Sequence, residues 1–81
     1  MADSIIVYTQ SACGHCHRQM DWMNEKNIPF EEREISNQEY RAEFLNLKGK
    51  GTPLTLIKKA DANEVVTGFN QQALTEKLQV R

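Results

Sequence analysis

Residues 12–18, Ala12-Cys13-Gly14-His15-Cys16-His17-Arg18, hold both cysteines and both histidines of the chain. Two residues separate Cys13 from Cys16. At the first turn of a helix that spacing brings the sulfurs within bonding reach. A cysteine placed there also meets the positive end of the helix dipole and the free N–H groups of the first turn. Both favour thiolate over thiol, and the thiolate is the nucleophile. Four readings of the motif are open. One is reversible dithiol–disulfide exchange. Another is covalent haem attachment, because Cys13-Gly14-His15-Cys16-His17 spells C-x-x-C-H. A third is zinc, with the cysteines and one or both histidines as ligands. The plainest is a pair of buried cysteines acting as small hydrophobes.

Size and charge narrow the choice. A chain of 81 residues is expected to form one domain over residues 1–81. Such a chain buries about 60–65% of its unfolded surface, so its core is modest. Hydrophobic residues make up 40% and charged residues 26%, an ordinary globular balance. Ten basic residues against eleven acidic give a net charge of −1, which offers no general attraction for nucleic acid or an anionic membrane. The longest apolar run, Ile5-Ile6-Val7-Tyr8, is far too short to span a bilayer. Met1-Ala2-Asp3-Ser4 has neither a basic n-region nor a long apolar h-region, so no secretion signal is expected. The expected compartment is the cytoplasm and the expected state a monomer. In the cytoplasm a lone cysteine pair is more often catalytic or metal-binding than structural. Haem attachment follows export, so the expected compartment weighs against it.

Outward from the motif, Ser4-Ile5-Ile6-Val7-Tyr8 is a β-branched and aromatic run that predicts a short strand buried on both faces. Thr9-Gln10-Ser11-Ala12 is a polar loop in which Ser11 is a candidate helix cap. Residues 13–26 have helical spacing, with Cys16, Met20 and Met23 on one face and Trp22 off that stripe. The bland role for the two methionines, core filling, outweighs haem ligation. Asn27-Ile28-Pro29 ends this helix, because a proline disfavours helix at the residue before it. Phe30–Ile35 predicts a second strand, whose charges suit a sheet edge. Ser36 and Glu39 form a candidate capping box. The helix behind it carries Tyr40, Phe44 and Leu47 on one face and stops at Gly49. The first two strands should be parallel, joined by a right-handed crossover. Gly49-Lys50-Gly51-Thr52-Pro53 is a strongly punctuated loop. Leu54–Lys58 predicts a third strand and Glu64–Thr67 a fourth, antiparallel to it because the connection is short. Gly68-Phe69-Asn70 breaks the sheet, and Asn70 caps a last helix over residues 71–79 with Leu74 and Leu78 facing in.

The order is then βαβ-α-ββα, with C-x-x-C between the first strand and first helix. Thr52-Pro53 precedes the third strand and Gly68-Phe69 the last helix. That arrangement resembles the minimal thioredoxin fold of the glutaredoxins and glutaredoxin-like redoxins, over nearly the whole chain. The resemblance implies an α/β domain with a four-stranded mixed sheet and helices on both faces. It also implies a thiol–disulfide oxidoreductase without a cofactor. Cys13 and Cys16 would form the redox pair, with Cys13 as nucleophile and Cys16 resolving the mixed disulfide. Pro53 would be cis and face the cysteines, although cis X–Pro bonds are rare. The backbone at Thr52 would pair with an extended substrate like an added strand. Gln10, Thr52, Pro53, Gly68, Phe69 and Asn70 would make up the substrate site. The competing class is a thioredoxin-fold module that holds zinc or an iron–sulfur centre through Cys13 and Cys16.

Departures from the family bear on the electron donor. Glutaredoxins that use glutathione carry a Lys or Arg where Gln10 stands. They also carry a Gly-Gly pair and an acid where this chain has Thr67-Gly68-Phe69-Asn70-Gln71. In these respects the chain is similar to the redoxins that serve ribonucleotide reductase and draw electrons from thioredoxin reductase. Either thioredoxin reductase or glutathione is the expected reductant, and a protein or small-molecule disulfide the expected substrate. Lys48 and Lys50 are candidate carboxylate partners, or plain solvated loop charges. Cys-Gly-His-Cys is also the active-site tetrapeptide of protein disulfide isomerase. A protonated His15 beside Cys13 would stabilise the thiolate and make the pair more oxidising. His17 reads as a surface residue. No acid stands in Ile5-Ile6-Val7 to act as a base for Cys16.

Overall fold

The computed structural model describes residues 4–78. The elements are β1 (Ser4–Thr9), α1 (Gly14–Glu25), β2 (Glu31–Glu34), α2 (Gln38–Asn46), β3 (Leu54–Lys58), β4 (Asn63–Thr67) and α3 (Gln71–Leu78). The order matches the expected βαβ-α-ββα. Residue 79, the expected end of the last helix, lies outside the described residues.

The strands form one sheet in the order β2-β1-β3-β4. β1 takes an inner position because Ile5, Ile6, Val7 and Tyr8 have no polar face to give to water; all four are buried. β2 pairs with it in parallel, Ile6 opposite Glu31. β3 is antiparallel to both β1 and β4, with Leu56 opposite Ile6 on one side and Val65 on the other. β2 is an edge strand, as its charges implied. Alternation along the strands divides the core into two layers. Ile5, Val7, Ile57 and Val66 pack against Met23 of α1 and Leu74 and Leu78 of α3. Ile6, Tyr8, Leu54 and Leu56 pack against Phe44 of α2. Helices therefore cover both faces. Each fully buried aliphatic side chain contributes about 1.5–3 kcal/mol.

The helix ends differ from the sequence expectation. Ser11 does not cap α1; Cys13 does, in extended backbone, with its sulfur accepting the Cys16 N–H. Asn37, not Ser36, caps α2, its side chain accepting the N–H groups of Glu39 and Tyr40. The Ser36 hydroxyl instead donates to Glu34. At the other ends, neither Pro29 nor Gly49 is the residue that turns the chain. Asn27 and Lys48 do, in the left-handed region at φ 57° and 61°. Each gives a Schellman closure: Ile28 N–H donates to Met23 and Asn27 N–H to Asn24, and Gly49 N–H donates to Phe44 and Lys48 N–H to Leu45. Gly49 is required for a different reason. A Cβ there would stand 2.5–2.7 Å from the Phe44 ring.

The buried face of α1 also needs correction. It comprises Cys16, Gln19 and Met23, whereas Met20 is only half-buried. Positions three and four residues after Cys16 share one face at helical pitch. Position 19 is the one turned inward, because Thr55 of β3 gives its amide a partner at 2.5 Å. Trp22, off that stripe, is half-buried and packs at a tilt on Phe69, ring centroids 6.1 Å apart.

Candidate redox site

The site forms where β1 ends and α1 begins. Cys13 occupies the cap position and is half-buried; Cys16, one turn on, is fully buried. The two are joined as a disulfide, with Cα atoms 5.2 Å apart. The Cys13 sulfur accepts two hydrogen bonds, from the Cys16 backbone N–H at 3.1 Å and from the Thr52 hydroxyl at 3.5 Å. The first turn of α1 carries no acidic residue. Donors and the helix terminus thus converge on the one sulfur that solvent reaches, and no acid in that turn opposes negative charge on it.

Thr52 and Pro53 approach from the start of β3. Their peptide bond is cis and Pro53 is buried. Gly68, at the end of β4, has φ 77° and donates its N–H to the Pro53 carbonyl at 2.8 Å. A left-handed backbone there suits glycine. The loops before β3 and after β4 are therefore tied together next to the cysteines. Cys13, Cys16, Thr52, Pro53 and Gly68 come together as one cluster.

The other candidates lie around it. Phe69 is committed to Trp22. Asn70 caps α3, its side chain accepting the Ala73 N–H at 3.0 Å. Gln10 is exposed in the loop before Cys13 and lines an open groove of about 490 Å³ together with Ser11, Ala12, Arg41 and Lys50. Neither cysteine lines that groove. His15 is exposed, and its Nδ1 lies 3.3 Å from Arg18 Nη1. Arg18 has only donors to offer, so the contact requires an unprotonated Nδ1. His17 is exposed. Among the described residues, no three His, Cys, Asp or Glu side chains are grouped to share a metal ion. No helix among them is long and apolar enough to cross a membrane.

One residue beside the site was missed from the sequence. Gln19 is fully buried one turn beyond Cys16. Its signal was a polar residue at i+3 from a cysteine on an otherwise apolar stripe, a position that α1 turns to the sheet.

Comparison with known proteins agrees with this geometry. The glutaredoxin family model matches residues 5–59. Over 48 residues the chain is 40% identical to glutaredoxin 1 of Rickettsia conorii, covering 57% of this chain and 47% of the relative. It is 25% identical over 73 residues to N-acetyl-S-hydroxy-L-cysteine reductase of Bacillus subtilis, covering 90% and 72% of the two chains. The chain spans about half the length of the Rickettsia glutaredoxins that it matches. Among solved structures, a thioredoxin-like protein superposes with TM-score 0.79 at 29% identity, over 90% of this chain and 97% of that one. A glutaredoxin from Archaeoglobus fulgidus shares the fold, with TM-score 0.73 at 23% identity, over 98% and 88% of the two chains. The family match runs from β1 through the cysteine pair and the cis proline to the end of β3, most of the sequence, and the chain belongs to the glutaredoxin family.

Proposed function

We propose that this protein is a dithiol–disulfide oxidoreductase in which Cys13 attacks a substrate disulfide and Cys16 resolves the product. The observation that carries this reading is the asymmetry of the pair. Cys13 is reachable and accepts two hydrogen bonds at a helix terminus, whereas Cys16 is fully buried. In the forward direction the Cys13 thiolate bonds to one substrate sulfur and expels the other as a thiolate, which takes a proton. Cys16 then loses its proton, attacks the Cys13 sulfur and expels the second substrate thiol. The substrate disulfide has gained two electrons and two protons, and the protein is left as the Cys13–Cys16 disulfide. The cis Thr52–Pro53 segment beside Cys13 supports backbone pairing with an extended substrate at Thr52. Gly68, Phe69 and Asn70 form the neighbouring wall, and Gln10 the approach from the groove side.

The reductant is thioredoxin reductase in preference to glutathione. Gln10 and the Asn70-Gln71 pair lack the charges that would hold the carboxylates and ammonium of glutathione, and Asn70 already caps α3. The test is to offer the oxidised protein either thioredoxin reductase with NADPH or glutathione with its own reductase. Faster NADPH oxidation through thioredoxin reductase is expected. Efficient turnover with glutathione and none with thioredoxin reductase would reverse the choice of donor. Metal bound in stoichiometric amount after anaerobic purification, with no exchange activity, would favour the metal-binding alternative.

A further inference from the structure

Gln19 has a buried carbonyl with no donor to hold among the described residues. The side chain is fully buried, and its oxygen Oε1 has no hydrogen-bond partner among the described residues. The orientation of the amide is fixed by what lies on its other side. Nε2 is 2.5 Å from Thr55 Oγ1 and 3.7 Å from Met23 Sδ. The thioether sulfur accepts and never donates. Both N–H donors therefore find acceptors on that side, and a reversed amide would set oxygen against sulfur. Oε1 is left as an acceptor without a donor in the interior, a costly state that a folded protein rarely keeps without a use.

A donor exists in the other redox state. Cys16 is fully buried, shares the inner face of α1 with Gln19, and lies three residues before it. Residues so placed are helix neighbours, with Cβ atoms about 5–6 Å apart. As a disulfide Cys16 has no hydrogen to give. As a thiol it has one S–H donor, buried on the same inner face of α1 as the free carbonyl. We propose that Gln19 is a positioning residue for the resolving cysteine, its Oε1 accepting a hydrogen bond from the Cys16 thiol in the dithiol form. This rests on the oxidoreductase reading above. When the disulfide accepts two electrons, the S–S bond breaks, Cys13 leaves as a thiolate and Cys16 takes one proton. That proton then points at Gln19. The contact is made in the reduced form and absent in the oxidised one, so it favours the dithiol and makes the pair more oxidising. It also holds the Cys16 sulfur in the rotamer from which it can return to Cys13.

The test is redox equilibration with dithiothreitol of the wild type, Gln19→Met and Thr55→Val. Methionine fills the volume of glutamine without an acceptor carbonyl. Thr55→Val breaks the same Gln19–Thr55 hydrogen bond but leaves Oε1 in place. Gln19→Met should lower the equilibrium constant for reduction about three- to tenfold, a more negative potential by about 15–30 mV. Thr55→Val should stay within about twofold of wild type, since the acceptor survives. Equal shifts in both variants, or none in Gln19→Met, would overturn the proposal. If Gln19→Met does not fold, the S–H stretching band of Cys16 in Cys13→Ser decides. A band lowered by hydrogen bonding supports the contact, and a free-thiol frequency overturns it. A wild type that never equilibrates with dithiothreitol would sink the oxidoreductase reading itself. The S–H band, recorded without any exchange, would still judge Gln19.

Discussion

The Cys16 backbone N–H points at the Cys13 sulfur from 3.1 Å, so the residue that caps α1 is also the residue proposed to attack substrate. Capping usually falls to an oxygen-bearing side chain. Here the cap and the proposed nucleophile are one atom, and the N–H that completes the helix would also stabilise negative charge on that sulfur.

That relationship separates the roles of the two cysteines. In the reduced protein near neutral pH, iodoacetamide should modify Cys13 and spare buried Cys16. Cys16→Ser should accumulate mixed disulfides with substrates, and Cys13→Ser should not. Peptide mapping of the alkylated protein reads the first outcome and non-reducing electrophoresis the second. Faster alkylation of Cys16 would reverse the assignment.

A methyl group at Gly49 tests the α2 layer. The Cβ of Gly49→Ala would meet three Phe44 ring atoms at 2.5–2.7 Å, and that ring is 5% exposed in the core beside Tyr8 and Leu56. The ring is packed against Tyr8 and must shift for the methyl to fit, so the variant should lose about 1–3 kcal/mol in urea unfolding. Lys48→Gly, one residue earlier, should be neutral or stabilising, because Lys48 holds a left-handed conformation. Equal tolerance at both positions would show that the Phe44 ring does not require glycine at position 49.

The strands were legible because their burial is written in their composition. Ile5-Ile6-Val7-Tyr8 has no polar alternation and lies inside the sheet; Glu31–Glu34 is charged throughout and lies at its edge. The cis bond before Pro53 was legible only through the family resemblance, since no local residue demands it. Helix termini were less legible, for a definite reason. Ser11, Cys13, Ser36 and Asn37 all satisfy the chemistry of a cap, and the choice among them depends on which residue the chain reaches as it leaves the strand. Gln19 was illegible for a related reason. A glutamine on a helix reads as solvated until a strand residue, Thr55, offers its hydroxyl from 36 positions away.

The Tyr8–Glu43–Arg33 network should shape stability at both ends of the pH scale. The Tyr8 hydroxyl donates to Glu43 at 2.8 Å, and Arg33 bonds the same carboxylate oxygen. Hydrogen bonds from Tyr8 and Arg33 hold the Glu43 carboxyl below its usual range. Its contribution is therefore present above the unfolded value and lost as pH falls through the lowered one. Burial, then the Glu43 carboxylate, push the Tyr8 phenol up to about 12. That contribution is complete below about pH 10 and lost as pH rises towards 12. Tyr8→Phe should cost about 0.5–1.5 kcal/mol at neutral pH. It should also flatten the alkaline fall and soften the acid one. Chemical unfolding from acid to alkaline pH measures both limbs, and an unchanged alkaline limb would exclude Tyr8 as its cause.

His15 can be judged by its effect on potential, with Arg18 as the control. Only a protonated ring adds positive charge beside the Cys13 thiolate, and a neutral disulfide gains much less from it. His15→Val should therefore make the potential more negative, by about 20–40 mV. Arg18 supplies the control, because its Nη1 lies 3.3 Å from Nδ1 and Arg18→Leu removes that contact and one cation together. The effect of His15→Val is then measured twice, once in the wild-type background and once in the Arg18→Leu background. Similar shifts in both are expected if His15 acts on Cys13 independently of Arg18. No difference in either background would leave the helix terminus, Thr52 and the Cys16 N–H as the whole source of activation at Cys13. A shift in the oxidising direction would mean that the charge on His15 does not act through the Cys13 thiolate.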